Sequence, residues 1–278
     1  MGDETPYRPL VAGEQVLFVD GRGRRYLVEL VVDGEFHTHS GIVDHNALIG
    51  SDEGGVVRSN RGARYEVWRP TLADFVLSMP RGAQVIYPKD LGPILMHADI
   101  FAGARVFESG LGSGALSMAL LRAGAIITGY ELRPDFHARA RRNVERFLGA
   151  DALDRYLTHE RSSYEGIDER GLDRVVLDLP EPWQVVPHAA QALRPGGLIL
   201  SYSPSVVQVV TVHAALVEHG FAMIDTVEVI QRAWHVEDPA VRPVHRMQGH
   251  TGFLTVARLA RPEGDRADGH GGRSGESR

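Results

Sequence analysis

Residues 106–131 constrain the fold more than any other part of the chain. Val106-Phe107-Glu108-Ser109 is a short apolar run that ends in Gly110-Leu111-Gly112-Ser113-Gly114-Ala115, and further on comes Ile126-Ile127-Thr128-Gly129-Tyr130-Glu131. The pattern predicts a buried strand, a glycine turn, a helix over about Ala115–Arg122 and a second strand ending on a carboxylate. Glycines at 110, 112 and 114 allow a tight turn and let a ligand approach the backbone without meeting a Cβ. The free N–H groups of the following helix face whatever lies over the turn. Glu131, at the carboxyl end of the second strand, is placed to accept hydrogen bonds from two ribose hydroxyls. A nucleoside-bearing cofactor fits such a site, and a merely glycine-rich strand-to-helix turn is the plainer alternative.

Two cofactor classes compete. Gly110-x-Gly112-x-x-Ala115 with an acid at position 131 also satisfies the dinucleotide fingerprint. Glu108 tilts the choice to S-adenosylmethionine, because a carboxylate there can face a cationic amino-acid end but would repel a pyrophosphate.

The rest of the chain surrounds this unit. Gln15–Val19 and Arg25–Val31, split by Asp20-Gly21-Arg22-Gly23, read as one hairpin, and Gly54–Arg58 with Tyr65–Arg69 as another. They define a small N-terminal β-domain, residues 1–75. In Glu35–Gly41, His37 and His39 stand two apart; a metal reading needs a third ligand such as His45, and hydrogen-bonded structural histidines are the simpler reading. Thr71–Val76 is a helix or a linker. The loop Met79–Asp90 either folds back over the cofactor or is an interdomain turn, and Pro88 opens a helix over about Lys89–Met96.

Residues 76–260 form the larger domain. Pro134–Phe147 is a polar helix with Arg139, Arg142 and Arg146 on one face, either a solvated face or a phosphate-contacting cluster. Strands follow over Tyr156–His159, Leu172–Leu179, Gly197–Ser203, Met223–Gln231 and Gly252–Arg258. Helices fall over about Val185–Leu193, stopped by Pro195-Gly196-Gly197, and over Val206–His219. Alternation of strands and helices demands a parallel sheet covered on both faces. No helix separates the last two strands, only residues 232–251, so the final strand can insert antiparallel. The predicted fold class is therefore α/β: a Rossmann-like class I methyltransferase with a seven-stranded sheet, its last strand antiparallel, plus the small N-terminal β-domain. Residues 261–278 hold almost no apolar side chain and are expected to be a disordered tail.

Composition excludes several functions. The chain has no cysteine, so disulfides and thiolate metal sites are out and a reducing cytoplasm is the expected setting. No apolar run is long enough to span a membrane, and the N-terminus does not resemble a signal peptide. Net charge is −6, with 8 Arg against 12 acids in residues 1–75, so any phosphate contact must use a local cluster.

Ligands of open α/β sheets bind at the carboxyl ends of strands. The fourth strand of the larger domain ends at Asp178-Leu179-Pro180-Glu181-Pro182-Trp183, whose prolines hold the loop extended and Asp178 at the rim. Trp183 is either a stacking platform or the packing residue of a helix start.

Four motifs together resemble the tRNA (adenine-58-N1) methyltransferase family of bacterial and archaeal homotetrameric type: Met79–Asp90, Glu108–Ala115, Leu177–Trp183 and the segment Arg242-Pro243 to Met247-Gln248-Gly249-His250-Thr251-Gly252-Phe253-Leu254. The resemblance runs from about Tyr7 to about Arg258. It implies S-adenosyl-L-methionine as donor, N1 of adenine in the tRNA T-loop as acceptor, and a homotetramer. By motif, Glu108, Gly110, Gly112, Ser113, Gly114 and Ala115 would line the methionine, Glu131 would hold the ribose, and Gln84 and Tyr87 would cover the site. Asp178 would face both donor and target adenine, with Tyr87 as its catalytic partner and Trp183 and His250 on the substrate side. Phe136 would pack on the adenosine. The third strand departs from the family, which usually ends it on an acid; here Ser162 or Glu160 would take that duty. The rival readings are an NAD(P)-dependent oxidoreductase, a catalytically silent tRNA-binding subunit of the same fold, and a small-molecule methyltransferase.

Overall fold

A computed structural model describes residues 8–82 and 84–261 of the chain. The tail expected beyond residue 261 lies outside the described residues, as does the polar N-terminus.

Residues 15–68 build a four-stranded antiparallel sheet from β1 (Gln15–Asp20), β2 (Arg25–Glu29), β5 (Val56–Arg58) and β6 (Arg64–Trp68), in the order β2-β1-β6-β5. Val16 and Phe18 on β1 and Tyr65 and Val67 on β6 alternate inward, as a sheet with one buried face requires. A separate hairpin, β3 (Glu35–Thr38) and β4 (Gly41–Asp44), covers that face, with the Phe36 ring 4.6 Å from Phe18 and 5.9 Å from Tyr65.

Thr71 and Asp74 form a reciprocal capping box, which starts α1 (Leu72–Ser78) and decides between helix and linker. Then come α2 (Pro88–His97), β7 (Arg105–Ser109), α3 (Ala115–Arg122), β8 (Ile126–Glu131), α4 (Pro134–Leu148), β9 (Tyr156–Glu160), β10 (Leu172–Leu177) and α5 (Val186–Ala192). The chain continues through β11 (Leu193–Ser203), α6 (Val206–Glu218), β12 (Phe221–Glu228), β13 (Trp234–Glu237), β14 (Ala240–Pro243) and β15 (Phe253–Leu259).

The large sheet runs β12-β15-β11-β10-β7-β8-β9, and β15 lies antiparallel between β11 and β12. Strands β7, β8, β10 and β11 are mutually parallel. Chain order reverses between β7 and β10, so their carboxyl ends open the crevice where ligands of such sheets bind. Apolar layers cover both faces: one joins α1–α4, and the other packs α5 and α6 on Phe107, Val175 and Ile199.

Several elements differ from the sequence reading. The fifth strand of the larger domain starts at Leu193, opposite Leu172, and not at Gly197; Pro195-Gly196-Gly197 loops out as a bulge before Leu198 pairs on from Arg174. The sixth starts at Phe221, because Met223, with φ of 52°, forms a bulge that absorbs one residue against β15. Residues 232–251 contain the hairpin β13–β14, hidden from sequence because its apolar side chains, Trp234, Val236 and Val241, point to solvent.

The histidines of residues 37–45 do separate jobs. His37 Nε2 lies 2.9 Å from Glu35, His39 faces Arg24, and buried His45 accepts the Val31 amide at Nδ1. Among the described residues no group of three or more metal-ligating side chains converges.

Candidate active site

The first two strand tips hold the glycine turn in the expected place. Gly110, with φ of 87°, approaches the Asp178 backbone so closely that a Cβ would collide with its carbonyl oxygen. Gly114, with φ of 82°, is the N-cap of α3, and a Cβ there would crowd the Ala140 backbone of α4. Ser113 and Ala115 are buried in this turn. Glu131 closes it from the second tip: one carboxylate oxygen accepts the Gly112 amide at 3.2 Å and the other the Arg133 amide at 3.0 Å. Each oxygen keeps a further lone pair that a ribose hydroxyl could use.

Glu108 is fully buried beneath the turn. Its Oε1 accepts the Ser117 hydroxyl at 2.9 Å, and Ser117 lies 2.8 Å from the Tyr156 hydroxyl. Ser117 has one proton to give and gives it to Glu108, so Tyr156 donates to Ser117. The other oxygen, Oε2, has no partner among the described residues. Burial pushes the Glu108 carboxyl up to about 8, the Ser117 bond opposes this, and the Asp178 and Glu131 charges add to it. Burial likewise holds the Tyr156 phenol well above its usual range.

Asp178 follows β10 directly, anchored by its amide on the Ser109 carbonyl at 2.9 Å. Burial, followed by the Glu131 charge, lifts its carboxyl to about 7. Behind it lies a buried polar knot that the sequence reading did not anticipate. Lys89 Nζ bonds Asp90 at 2.8 Å and the Val229 carbonyl at 2.6 Å, and Thr251 donates to the other Asp90 oxygen at 2.7 Å. Tyr202, near the end of β11, is buried, and burial, with the Asp90 and Asp178 charges adding to it, raises its phenol to about 12. Gly252 is the only residue type that fits against the Tyr202 ring. Two signals pointed here: Lys89 is the one lysine in the chain, and Tyr202 sits at a carboxyl strand end.

The other expected site residues have varied surroundings. Tyr87 is the N-cap of α2, half-buried, and Gln84 is exposed in the same loop. Phe136 is buried on α4 under the Arg133 guanidinium, 3.9 Å from its ring centre. Ser162 uses its hydroxyl oxygen to cap the short turn 163–165 through the Tyr164 amide. Its neighbour Ser163 is the buried one, 2.8 Å from Ser109, while Glu160 is exposed and 3.4 Å from His137. Trp183 rests half-buried on the apolar layer around α5, in accord with the packing role. His250 donates to the Glu228 carboxylate at 2.6 Å and to the Pro204 carbonyl at 2.9 Å, so both ring nitrogens carry protons. The Glu228 bond raises its pKa. A substrate contact through a His250 nitrogen would have to break one of these bonds.

The profile described as tRNA methyltransferase complex GCD14 subunit matches residues 65–241, and a TrmI-like N-terminal profile matches residues 9–57. The chain belongs to this tRNA methyltransferase family. Within the family it is 38% identical over 246 residues to the tRNA (adenine(58)-N(1))-methyltransferase TrmI of Thermus thermophilus, covering 87% of this chain and 96% of that one. It is 37% identical over 270 residues to the tRNA (adenine(57)-N(1)/adenine(58)-N(1))-methyltransferase TrmI of Methanocaldococcus jannaschii, covering 87% and 94%. Among solved structures it resembles a SAM-dependent O-methyltransferase from Thermotoga maritima, with a TM-score of 0.87, 31% identity and coverage of 92% and 96%. The fold of the TrmI tRNA (m1A58) methyltransferase from Aquifex aeolicus also matches, with a TM-score of 0.78 at 24% identity, over 91% of this chain and all of that one.

Family membership and fold imply S-adenosylmethionine, and the residues present fit it. Glu108, Glu131 and Asp178 crowd the crevice, and among the described residues none forms a salt bridge with Arg, Lys or His. Such a site is short of positive charge, which a sulfonium with its ammonium group supplies and a pyrophosphate does not. Glu108 Oε2 is buried without a partner among the described residues and becomes an acceptor for a cationic donor when the carboxyl ionises. The NAD(P) reading loses its basis on the same ground.

Proposed function

We propose that this protein transfers a methyl group from S-adenosylmethionine to N1 of adenine 58 in the T-loop of tRNA. The observation that carries the reading is the unbalanced carboxylate set at the tips of β7, β8 and β10, within a chain of this family. When bound, the cofactor supplies a methyl group made electrophilic by an adjacent positive sulfur. Glu108 binds the ammonium end through Oε2, held in orientation by the Tyr156–Ser117 chain. Glu131 holds the ribose, and Phe136 forms the apolar wall of the adenosine pocket, with Ser162 at its edge. The glycine turn lets the methionine lie against backbone.

Adenine N1 has a lone pair, so the chain needs no covalent nucleophile, and its part is positioning and electrostatics. Asp178 accepts from the 6-amino group and stabilises the positive charge that passes to the purine. Tyr87 and Gln84 cover the base, which must leave its stack to reach the crevice. Trp183 offers the exposed part of its ring to the flanking nucleotides.

Self-association into a homotetramer is part of the same proposal. Val206, Val207 and Val210 on α6 and Trp234, Val236 and Val241 on the β13–β14 hairpin are exposed apolar surface that copies of the chain could bury. Sedimentation would read the assembly. No helix among the described residues is long and apolar enough to cross a membrane, and a cytoplasmic setting follows from the tRNA substrate.

The deciding experiment incubates unmodified tRNA with the protein and S-adenosylmethionine and maps methylated nucleosides by mass spectrometry. 1-Methyladenosine at position 58 is expected. Methylation at another atom, or none, would refute the reading.

A further inference from the structure

The acid-lined crevice raises a question of affinity. A polyanion cannot be anchored by a site whose nearest charges are carboxylates, so phosphate contacts must lie elsewhere. On α4 the arginines are partly committed. Arg139 lies along Phe136, 5.1 Å from its ring centre, Arg141 bonds Thr158 and the Tyr156 carbonyl, and Arg146 faces Glu29.

The N-terminal domain offers a better cluster. In its sheet Asp20 on β1 is paired with Tyr65 on β6, which brings the β1–β2 turn and the β5–β6 turn to the same end. The β3–β4 turn joins them: Ser59 donates to the Ser40 carbonyl at 2.6 Å, and Arg24 lies 3.3 Å from His39. A cavity of about 240 Å³ opens between the turns, bordered by Arg22, Arg24, His39 and Arg64. Arg58 ends β5 and Arg61 stands on the turn that follows it, and all five arginines are exposed.

The sign of this end opposes that of its own domain. Residues 1–75 hold 8 Arg and 12 acids, yet five of those arginines are here. The acids here are Asp20, committed to Arg24 and to the amides of Arg22 and Arg24, and Glu66, paired with Arg64. Among the described residues Arg22, Arg58 and Arg61 join no ion pair. Arg58 and Arg64 are also direct cross-strand partners. Like charges facing each other across a strand pair cost stability, which makes sense if a polyanion covers them.

We infer that the turn end of the β-domain, built from Arg22, Arg24, Arg58, Arg61, Arg64 and His39, is a binding surface for the phosphodiester backbone of RNA. The inference rests on the tRNA reading above and adds where on the chain the substrate is gripped. Contacts of this kind set affinity and salt dependence and carry no base preference.

The test is equilibrium binding of an unmodified tRNA transcript to the full chain across a salt series. The wild type is compared with the triple variant Arg22→Ala, Arg58→Ala, Arg61→Ala and with Arg142→Ala as a control on exposed α4. The triple variant is expected to bind at least about tenfold more weakly and to lose about 2–3 from the log–log salt slope. Its calorimetric affinity for S-adenosylmethionine and its kcat at saturating tRNA should match the wild type. An unchanged Kd and slope in the triple variant, or a loss confined to Arg142→Ala, would overturn the inference. Because binding is read without methylation, that result is separate from a wild type that binds tRNA but does not methylate adenine 58, which would refute the function instead.

Discussion

At the carboxyl edge of the large sheet, Glu108, Glu131 and Asp178 stand together without a counter-charge, whereas at the turn end of the β-domain arginines outnumber acids five to two. Burial in the crevice lifts the pKa of Glu108 and Asp178, so a charge on either is costly and favours a bound cation. The turn end is exposed, its charges are cheap and screened by salt, and only their number makes them effective. On the two proposals above, one region recognises a single small cation at short range and the other holds a large anion loosely.

Substitutions can break or sharpen this contrast. Asp90→Ala should have the largest effect, because it leaves Lys89 charged and unpaired behind the crevice. A loss of about 3–5 kcal/mol is expected, read as a fall in melting temperature on the order of 10 °C. Next comes Asp178→Ala, which should cut kcat by about 10²–10³-fold while calorimetry shows the donor still bound. The wild-type pH profile should agree. The Asp178 pKa is raised to about 7, so the accepting carboxylate is present above that pH, and kcat/KM should fall as pH drops through it.

A smaller effect is expected at Glu108. With its carboxyl lifted to about 8, it is mostly protonated at pH 7 and must ionise to pair with an ammonium group. Donor binding at pH 7 should therefore release protons, visible as a dependence of the binding enthalpy on the buffer. Glu108→Gln should remove that part and weaken the donor about tenfold. The smallest effect has the opposite sign. Arg58→Thr relieves the cross-strand repulsion with Arg64 and should stabilise the protein by a few tenths of a kcal/mol, up to about 1, in thermal unfolding, while lowering its affinity for RNA.

Most of the catalytic fold was legible because parallel strands buried on both faces leave apolar runs bounded by glycine and proline. Val106–Ser109 and Ile126–Glu131 fell where expected, and the strand expected over Leu172–Leu179 stops at Leu177. The hairpin at residues 234–243 was not legible, since four-residue strands with outward apolar side chains look like loop. The bulges at Met223 and at Pro195–Gly197 were hidden for another reason: a partner strand sets register, and it lies elsewhere in the sequence. In the site, Glu108, Glu131 and Asp178 could be placed from their strand ends alone. Ser117, Tyr156, Asp90 and Tyr202 could not, because their roles come from contacts between distant segments. The arginine cluster was missed since its members sit on three separate turns and the domain's total charge is negative.

The hydrogen bond from Thr251 to Asp90 spans 161 residues of sequence. During synthesis, Glu108, Glu131 and Asp178 leave the ribosome well before the strand that carries Thr251 towards the sheet. A growing chain can thus display Glu108, Glu131 and Asp178 while the rear wall of the crevice is still missing. The rear wall of the crevice therefore closes only once β15 has joined the sheet.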